Sequence, residues 1–444
     1  MSTRILFACW PFEGHVFPQM RLALTLRERG AEVAFFTGSR LSDVVAAQDI
    51  PVFGLGRVEG AWQAVHDRER AVGGRAQSRR VAHEAFRRWL VESIPDQVAE
   101  LHALIRDWRP DVIVADASMW GPSLILHESE PIPVALAAPL IYAVVPGPDA
   151  PPPGSRMPRP TDARGRARAR AFTRITDLVA RGTRTRIDHL RAQHGLEPMG
   201  RSINAQLARL PLYLVASIPE LDYSRRDLPS GVHYVGPLQW HPPDPPGTTA
   251  WLDEIPAARP WVHVTEGTSH YQDPFVLRSA AAGLAGGPYE AILTTGRDRD
   301  PARLGLPEAP NVHVTTWAAH DELLPRCDVV VTTGGAGSVM ACVRAGVPMV
   351  LVPTTWDKPD HARRMVDAGV AVRLSPRRCS PESLRAAVEQ VLGDPRFRAT
   401  ARQHAQRLAA APGPDGAAAL VEALVPRDRG GDRAPAVAEE GAPA

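Results

Sequence analysis

The chain has 444 residues, 44% of them hydrophobic, with a formal net charge of +2. That length exceeds one compact core and predicts two domains, while the near-balanced charge excludes a polyanion-binding protein as the general reading. No apolar run approaches the roughly 20 residues of a membrane span.

The N-terminus runs straight into a strand-like Arg4–Trp10 segment with no signal-peptide n-region, so the expected location is cytoplasmic. Pro11–His15 reads as a loop, and Val16–Arg29 has helical apolar spacing through Met20, Leu22, Ala23 and Leu26, stopped by Gly30. Glu32–Thr37 is then a second strand, which makes a βαβ unit and hence a parallel sheet. Val112–Asp116, Val134–Ala137 and Leu212–Ala216 read as further strands. Between them, Arg57–Arg80 and Tyr142–Arg166 read as irregular tracts rich in glycine, proline and arginine. Arginine is dense from Arg156 to Arg209, but only Phe172 lies among those residues as a stacking aromatic. A solvated helical face is therefore expected there, not a nucleic-acid site.

Gly236–Gly247 is so rich in proline that it reads as a semi-rigid linker. The expected division is residues 1–235, a linker over 236–250, a second α/β domain over 251–425 and a disordered tail over 426–444. Strands are expected in the second half at Trp261–Thr265, Ala291–Thr295, Val312–Thr315, Val329–Thr332 and Met349–Val352, with helices after the last two. Four cysteines, Cys9, Cys327, Cys342 and Cys379, lie too far apart for a disulfide framework or a metal motif and read as buried thiols.

The most informative stretch is Asn311–Pro376. An apolar strand opens into Thr332-Thr-Gly-Gly-Ala-Gly-Ser338 and then a helix, a unit that offers backbone N–H groups and a helix N-terminus to phosphate. Trp317 and Asp357, each at a strand end, would reach the same edge. His15 and Asp116 stand at the ends of two N-terminal strands and suit a base with an orienting carboxylate. A structural reading stands beside each: a loop histidine, and a turn or N-cap aspartate.

The order and spacing of these segments resemble the GT-B glycosyltransferases of small molecules, the group of plant secondary-metabolite and bacterial macrolide and antibiotic transferases. The resemblance runs from Arg4 to about Val425. It implies two Rossmann-like parallel-sheet domains facing a cleft, with the acceptor on the N-terminal one and a nucleotide sugar on the C-terminal one. It also implies an inverting, metal-independent transfer to a small hydrophobic acceptor, with no cofactor beyond the nucleotide sugar. The implied roles are general base for His15, its orienter for Asp116, and nucleobase stacking for Trp317. Thr268 or Ser269, with Thr333, Gly334, Gly335, Gly337 and Ser338, would hold the diphosphate, and Asp357 and Lys358 would read the sugar. Neither nucleic acid nor membrane insertion is implied, and self-association is left open.

Three departures from the family pattern stand out. Thr333 replaces the histidine expected before Gly-Gly, and the expected Asp-Gln of the sugar site becomes Asp357-Lys358, with His361 in place of a later asparagine. Ala341 occupies the place of a ribose-reading glutamate, which favours dTDP over UDP as nucleotide. Thr333 and Lys358 keep in view a nucleotide-sugar-binding protein without turnover, and a sugar-nucleotide epimerase on the same fold stands as a further alternative.

Overall fold

The computed structural model describes residues 2–72, 84–138, 150–155, 157–200, 202–223, 228–243, 249–268 and 270–426. Strands β1 (Arg4–Ala8), β2 (Glu32–Thr37), β3 (Val52–Gly54), β4 (Val112–Asp116), β5 (Val134–Ala138), β6 (Leu212–Val215) and β7 (Val232–Tyr234) form one parallel sheet. Its order is β3-β2-β1-β4-β5-β6-β7. A second parallel sheet is built from β8 (Trp261–Thr265), β9 (Glu290–Thr294), β10 (Val312–Thr315), β11 (Val329–Thr332), β12 (Met349–Leu351) and β13 (Ala371–Arg373). Its order is β10-β9-β8-β11-β12-β13.

Both sheets are buried on two faces, as parallel sheets covered by helices must be. In β1, Leu6 and Ala8 point into one apolar cluster while Ile5 and Phe7 point into the other. Phe7 stacks on Phe35 of β2 with ring centroids 5.1 Å apart. Complete burial of side chains this size contributes on the order of 1.5–3 kcal/mol each. Val330 and the pair Val329 and Val331 divide between the two faces of the second sheet in the same way.

The strand orders place the ligand edge. Each sheet reverses direction between its first strand and a later one, at β1/β4 and at β8/β11. A crevice opens outside the carboxyl ends of strands at such a switch point. His15 follows β1 and Asp116 ends β4; Glu266–Thr268 follow β8 and Thr333–Ser338 follow β11. Topology alone therefore brings the candidate residues of each domain to one edge.

Several elements differ from the sequence expectation. Helix α1 spans Glu13–Glu28, so His15 lies in its first turn and not in a loop. Phe12, extended at φ −109°, is the residue that caps it, and Val16 donates to the Phe12 carbonyl at 2.8 Å. The tract from Arg57 is not irregular, because helix α2 (Arg57–Val72) occupies it. Val58, Trp62 and Val65 recur at helical spacing and pack on the N-terminal core, which outweighs the local glycine and arginine. Its remainder, 73–80, lies outside the described residues, as do 142–149 and 156 of the Tyr142–Arg166 tract, whose last residues enter the helix Ala163–Val179.

Helices α3 (Ala336–Ala345) and α4 (Lys358–Asp367) follow β11 and β12 as expected. The helix α5 (Gly413–Glu422) falls in the segment assigned to the C-terminal domain, yet it packs on the N-terminal one. Ala417, Ala418 and Val421 are buried against the α1 side of that sheet, and Arg29 pairs with Glu422 at 2.7 Å. An apolar stripe matched to the N-terminal core decides its position. Of the proline linker, 244–248 are outside the described residues, and so is 427–444 of the tail. All four cysteines are buried free thiols.

Candidate active site

The His15 imidazole is hydrogen-bonded through Nδ1 to Oδ2 of Asp116. The His15 side chain is 28% exposed, whereas Asp116 is 1% exposed. The second carboxylate oxygen of Asp116 accepts from the Ser118 amide and hydroxyl, both at 2.6 Å. Asp116 is thus a cap of the short 3-10 turn Ala117–Met119 and a hydrogen-bond partner of His15 at once, one oxygen serving each contact.

This arrangement sets the charge of the pair. Burial pulls the His15 pKa down, but the Asp116 charge and hydrogen bond, with Asp357 farther off, outweigh it and leave the imidazole above its ordinary value of 6.5. Burial pushes Asp116 upward; the His15 contact and the Ser118 hydrogen bonds more than offset this and hold the carboxyl low. With Nδ1 engaged by the carboxylate, Nε2 is the nitrogen left to take a proton. Asp111, one residue before β4, sits at the opposite edge of the sheet and accepts from the Arg4 amide at 2.8 Å.

One cleft is bordered by His15, Glu13 and Phe12 from the N-terminal domain and by Thr268, Trp317, Thr333, Gly335, Gly337, Ser338, Asp357 and Lys358 from the C-terminal one. Asp116 stands behind His15, and Gly334 behind Gly335. Ser269 lies outside the described residues.

Opposite His15, the N-terminus of α3 carries no side-chain cap; its capping residue is Gly335. The first amides of the helix therefore keep their hydrogen-bonding capacity for a ligand. A Cβ built on Gly335 meets nothing within 4 Å, so this side of the turn is open space. Gly334 serves differently. Its φ of +88° is a left-handed conformation that an L side chain rarely adopts, and it makes the turn from β11 into α3. His361, buried on α4, donates from Nδ1 to the Gly334 carbonyl at 3.0 Å and so fixes that turn.

Thr333 is not a free phosphate donor. Its hydroxyl donates to the Glu266 carbonyl at 3.0 Å, which ties the loop after β11 to the loop after β8 and uses its one proton. Positive charge on this wall comes from Arg297 and from Lys358, which borders the cleft while largely buried, with Nζ 3.4 Å from Thr354 Oγ1. Asp357, one residue before α4, lies 3.6 Å from the His361 imidazole.

Trp317 lies two residues past β10, and its ring carries the Arg297 guanidinium 4.2 Å from its centroid. His320 lies nearly parallel to the same indole at 6.2 Å. Burial, reinforced by His241, pushes the His320 pKa down to about 4, so this ring is neutral near pH 7. Ala341 is buried in the core cluster and Met340 beside it borders the cleft, which leaves that wall apolar.

Sequence reasoning missed three contributors. Glu13 borders the cleft, its carboxyl raised by burial against the opposing pull of Arg40 and Arg297. Arg297 follows a strand end as Trp317 does, the signal that could have found it. Glu266, in the loop after β8, accepts from Arg299 at 2.7 Å and from the Val276 amide at 3.0 Å, which anchors the Thr265–Thr268 segment. Among the described residues, no group of three or more His, Cys, Asp or Glu side chains is placed to hold a metal ion. Nor is any helix among them long and apolar enough to cross a membrane.

Two parallel-sheet domains facing a cleft, with an imidazole–carboxylate pair on one wall and an open helix N-terminus on the other, define a GT-B fold. Solved structures agree. The chain superposes on the glycotransferase of kitacinnamycin with a TM-score of 0.72 at 22% identity, covering 96% of this chain and 100% of that one. A spinosyn rhamnosyltransferase complexed with thymidine diphosphate gives 0.67 at 22% identity, over 95% and 100%. Residues 288–424 match the erythromycin biosynthesis protein CIII-like C-terminal domain. The 4'-demethylrebeccamycin synthase of Lentzea aerocolonigenes is 34% identical over 437 residues, 96% of this chain and 100% of its own. The chain belongs to the GT-B glycosyltransferases that include the bacterial macrolide and antibiotic transferases, and it is an enzyme of that kind.

Proposed function

We propose that the protein transfers a sugar, with inversion and without a metal ion or other cofactor, from a nucleotide diphosphate sugar to a hydroxyl of a small natural-product aglycone. The observation that carries this reading is the His15–Asp116 pair facing the uncapped α3 N-terminus across one cleft. His15 Nε2 takes the acceptor proton as the oxygen attacks the anomeric carbon, and Asp116 steadies the imidazolium that forms. The diphosphate leaves toward the α3 amides, Ser338 and Thr268 as fixed donors, with the Lys358 ammonium supplying the charge that Thr333 lacks.

The nucleobase stacks on the Trp317 indole as the Arg297 guanidinium moves off its face, with the neutral His320 at hand for its edge. Asp357 accepts from sugar hydroxyls. A dTDP sugar is favoured as donor: relatives of this fold bind thymidine diphosphate, and the Met340 wall offers no carboxylate to a ribose hydroxyl.

The test is His15→Ala. It should lose about 10²- to 10⁴-fold in transfer to a hydroxyl acceptor, while thymidine diphosphate binds as to the wild type in calorimetry. Near-wild-type turnover would remove His15 from the chemistry.

A further inference from the structure

Sugar transfer as described leaves one buried ion pair unused, on the helix that begins with Lys358. Arg364, in the second half of α4, donates from Nε to Oδ1 of Asp222 at 3.0 Å. The two side chains are 4% and 5% exposed. The other carboxylate oxygen of Asp222 accepts from the hydroxyl of Tyr234, the last residue of β7, at 2.5 Å. A chain of three side chains, Tyr234, Asp222 and Arg364, therefore runs between the domains. It starts on the sheet whose strand ends carry His15 and Asp116, and it ends on the helix whose first residue borders the cleft.

The backbone around Asp222 makes the same crossing. After β6, Ile218 and Leu221 are buried in the apolar cluster of the C-terminal domain that also takes Ala362 and Met365 of α4. The Arg364 guanidinium lies over the Tyr223 ring as well, 5.1 Å from its centroid. A second tie reaches α4 from the segment after β5, where the Gly154 amide donates to Asp360 at 2.8 Å. Because His361 of the same helix holds the Gly334 carbonyl, any shift of α4 carries the phosphate turn with it. An ion pair buried this deeply gains little net stability over apolar side chains of similar volume, since both ions lose their water. What it fixes is direction, for guanidinium and carboxylate bond in few geometries.

We propose that Arg364 and Asp222 are positioning residues for the transfer, a role that rests on the transfer reading above. They hold α4, and with it the Asp357–Lys358 end and the Gly334 turn, in the register against His15 that direct displacement needs. Neither residue is among those bordering the cleft, so neither acts on substrate itself. The donor wall of Gly335, Ser338 and Lys358 is built within the C-terminal domain and stays whole when the pair is broken. What is lost is its alignment with the base. A misplacement of about 1 Å between reacting groups costs on the order of 10²-fold in rate.

Two variants of the full chain separate positioning from stability. In Asp222→Asn the amide oxygen keeps the Tyr234 proton, but the NH2 faces Arg364 and the pair is broken. In Asp222→Asn combined with Arg364→Met no buried charge is left unpaired, so the denaturation midpoint should recover toward that of the wild type. Transfer to a phenolic acceptor, measured well below each midpoint, should fall about 10- to 100-fold in kcat in both. Thymidine diphosphate should bind both within about threefold of the wild type in calorimetry. Where Asp222→Asn fails to fold, the double variant decides alone. Wild-type kcat in Asp222→Asn, or a kcat that returns with stability in the double variant, overturns the positioning role and leaves the transfer reading intact. A matching loss of thymidine diphosphate affinity overturns it too, because the pair would then act inside the donor site. Wild-type turnover by His15→Ala takes down the transfer reading, and this proposal with it.

Discussion

Asp116→Asn separates what the carboxylate does for His15 from what it does for the fold. In the wild type Oδ1 caps the turn through Ser118 at 2.6 Å and Oδ2 holds His15 Nδ1. An asparagine can keep its amide oxygen on Ser118, because that contact needs only an acceptor. Its NH2 then faces His15 and donates to Nδ1, which forces the ring proton onto Nε2, the atom that must accept. The fold should survive while the base is in the wrong tautomer. General-base contributions of about 10²- to 10⁴-fold correspond to ~2.7–5.4 kcal/mol of barrier, and most of that should be lost. The pH profile carries a second signature. Burial is the largest influence on His15, and removing Asp116 leaves it largely unopposed. The rising limb of kcat/KM should therefore lie above pH 6.5 in the wild type and move to lower pH in the variant. Steady-state transfer to a phenolic acceptor between pH 5 and pH 9, with thymidine diphosphate affinity as the control, reads both effects. Wild-type turnover, or a limb that stays in place, would refute the role given to Asp116.

Lys358→Met keeps the buried stem and removes the ammonium. With a charge-assisted bond worth ~1.5–3 kcal/mol, thymidine diphosphate should bind about 10- to 150-fold more weakly. Thymidine monophosphate should lose less, and calorimetry with both ligands checks the difference. The two neighbouring glycines should part company. Gly335→Ala places its methyl in the open side of the turn and should weaken thymidine diphosphate binding without lowering the denaturation midpoint. Gly334→Ala forces a left-handed φ of +88° and should cost about 1–2 kcal/mol of stability, read by chemical denaturation. The reverse pattern would place the phosphate turn elsewhere.

Much of this architecture was legible because the central strands are continuous apolar runs. Val112–Asp116 and Val329–Thr332 have the bounds expected of them, and the candidate residues follow from standing at strand ends. The edge strands β3, β7 and β13, three residues each, carry too little periodicity and form only by pairing with a neighbour. Glycine and histidine are poor helix formers, which hid the true start of α1, although Phe12 in extended conformation sets it. That the Thr333 hydroxyl is already occupied could not be read from the chain, because the carbonyl it serves, that of Glu266, lies 67 residues away. The Asp222–Arg364 pair was invisible for the same reason: its members lie 142 residues apart and meet only in the folded chain.

The central claim is direct displacement at the anomeric carbon, with His15 as base and the C-terminal wall holding the diphosphate. The anomeric configuration of the product tests it most directly, read from the proton coupling at C1 after reaction of a dTDP-α-sugar with a phenolic acceptor in excess EDTA. The account predicts a β-linked product formed at full rate in the chelator. An α-linked product, or transfer that returns only when a divalent cation is added, would contradict it.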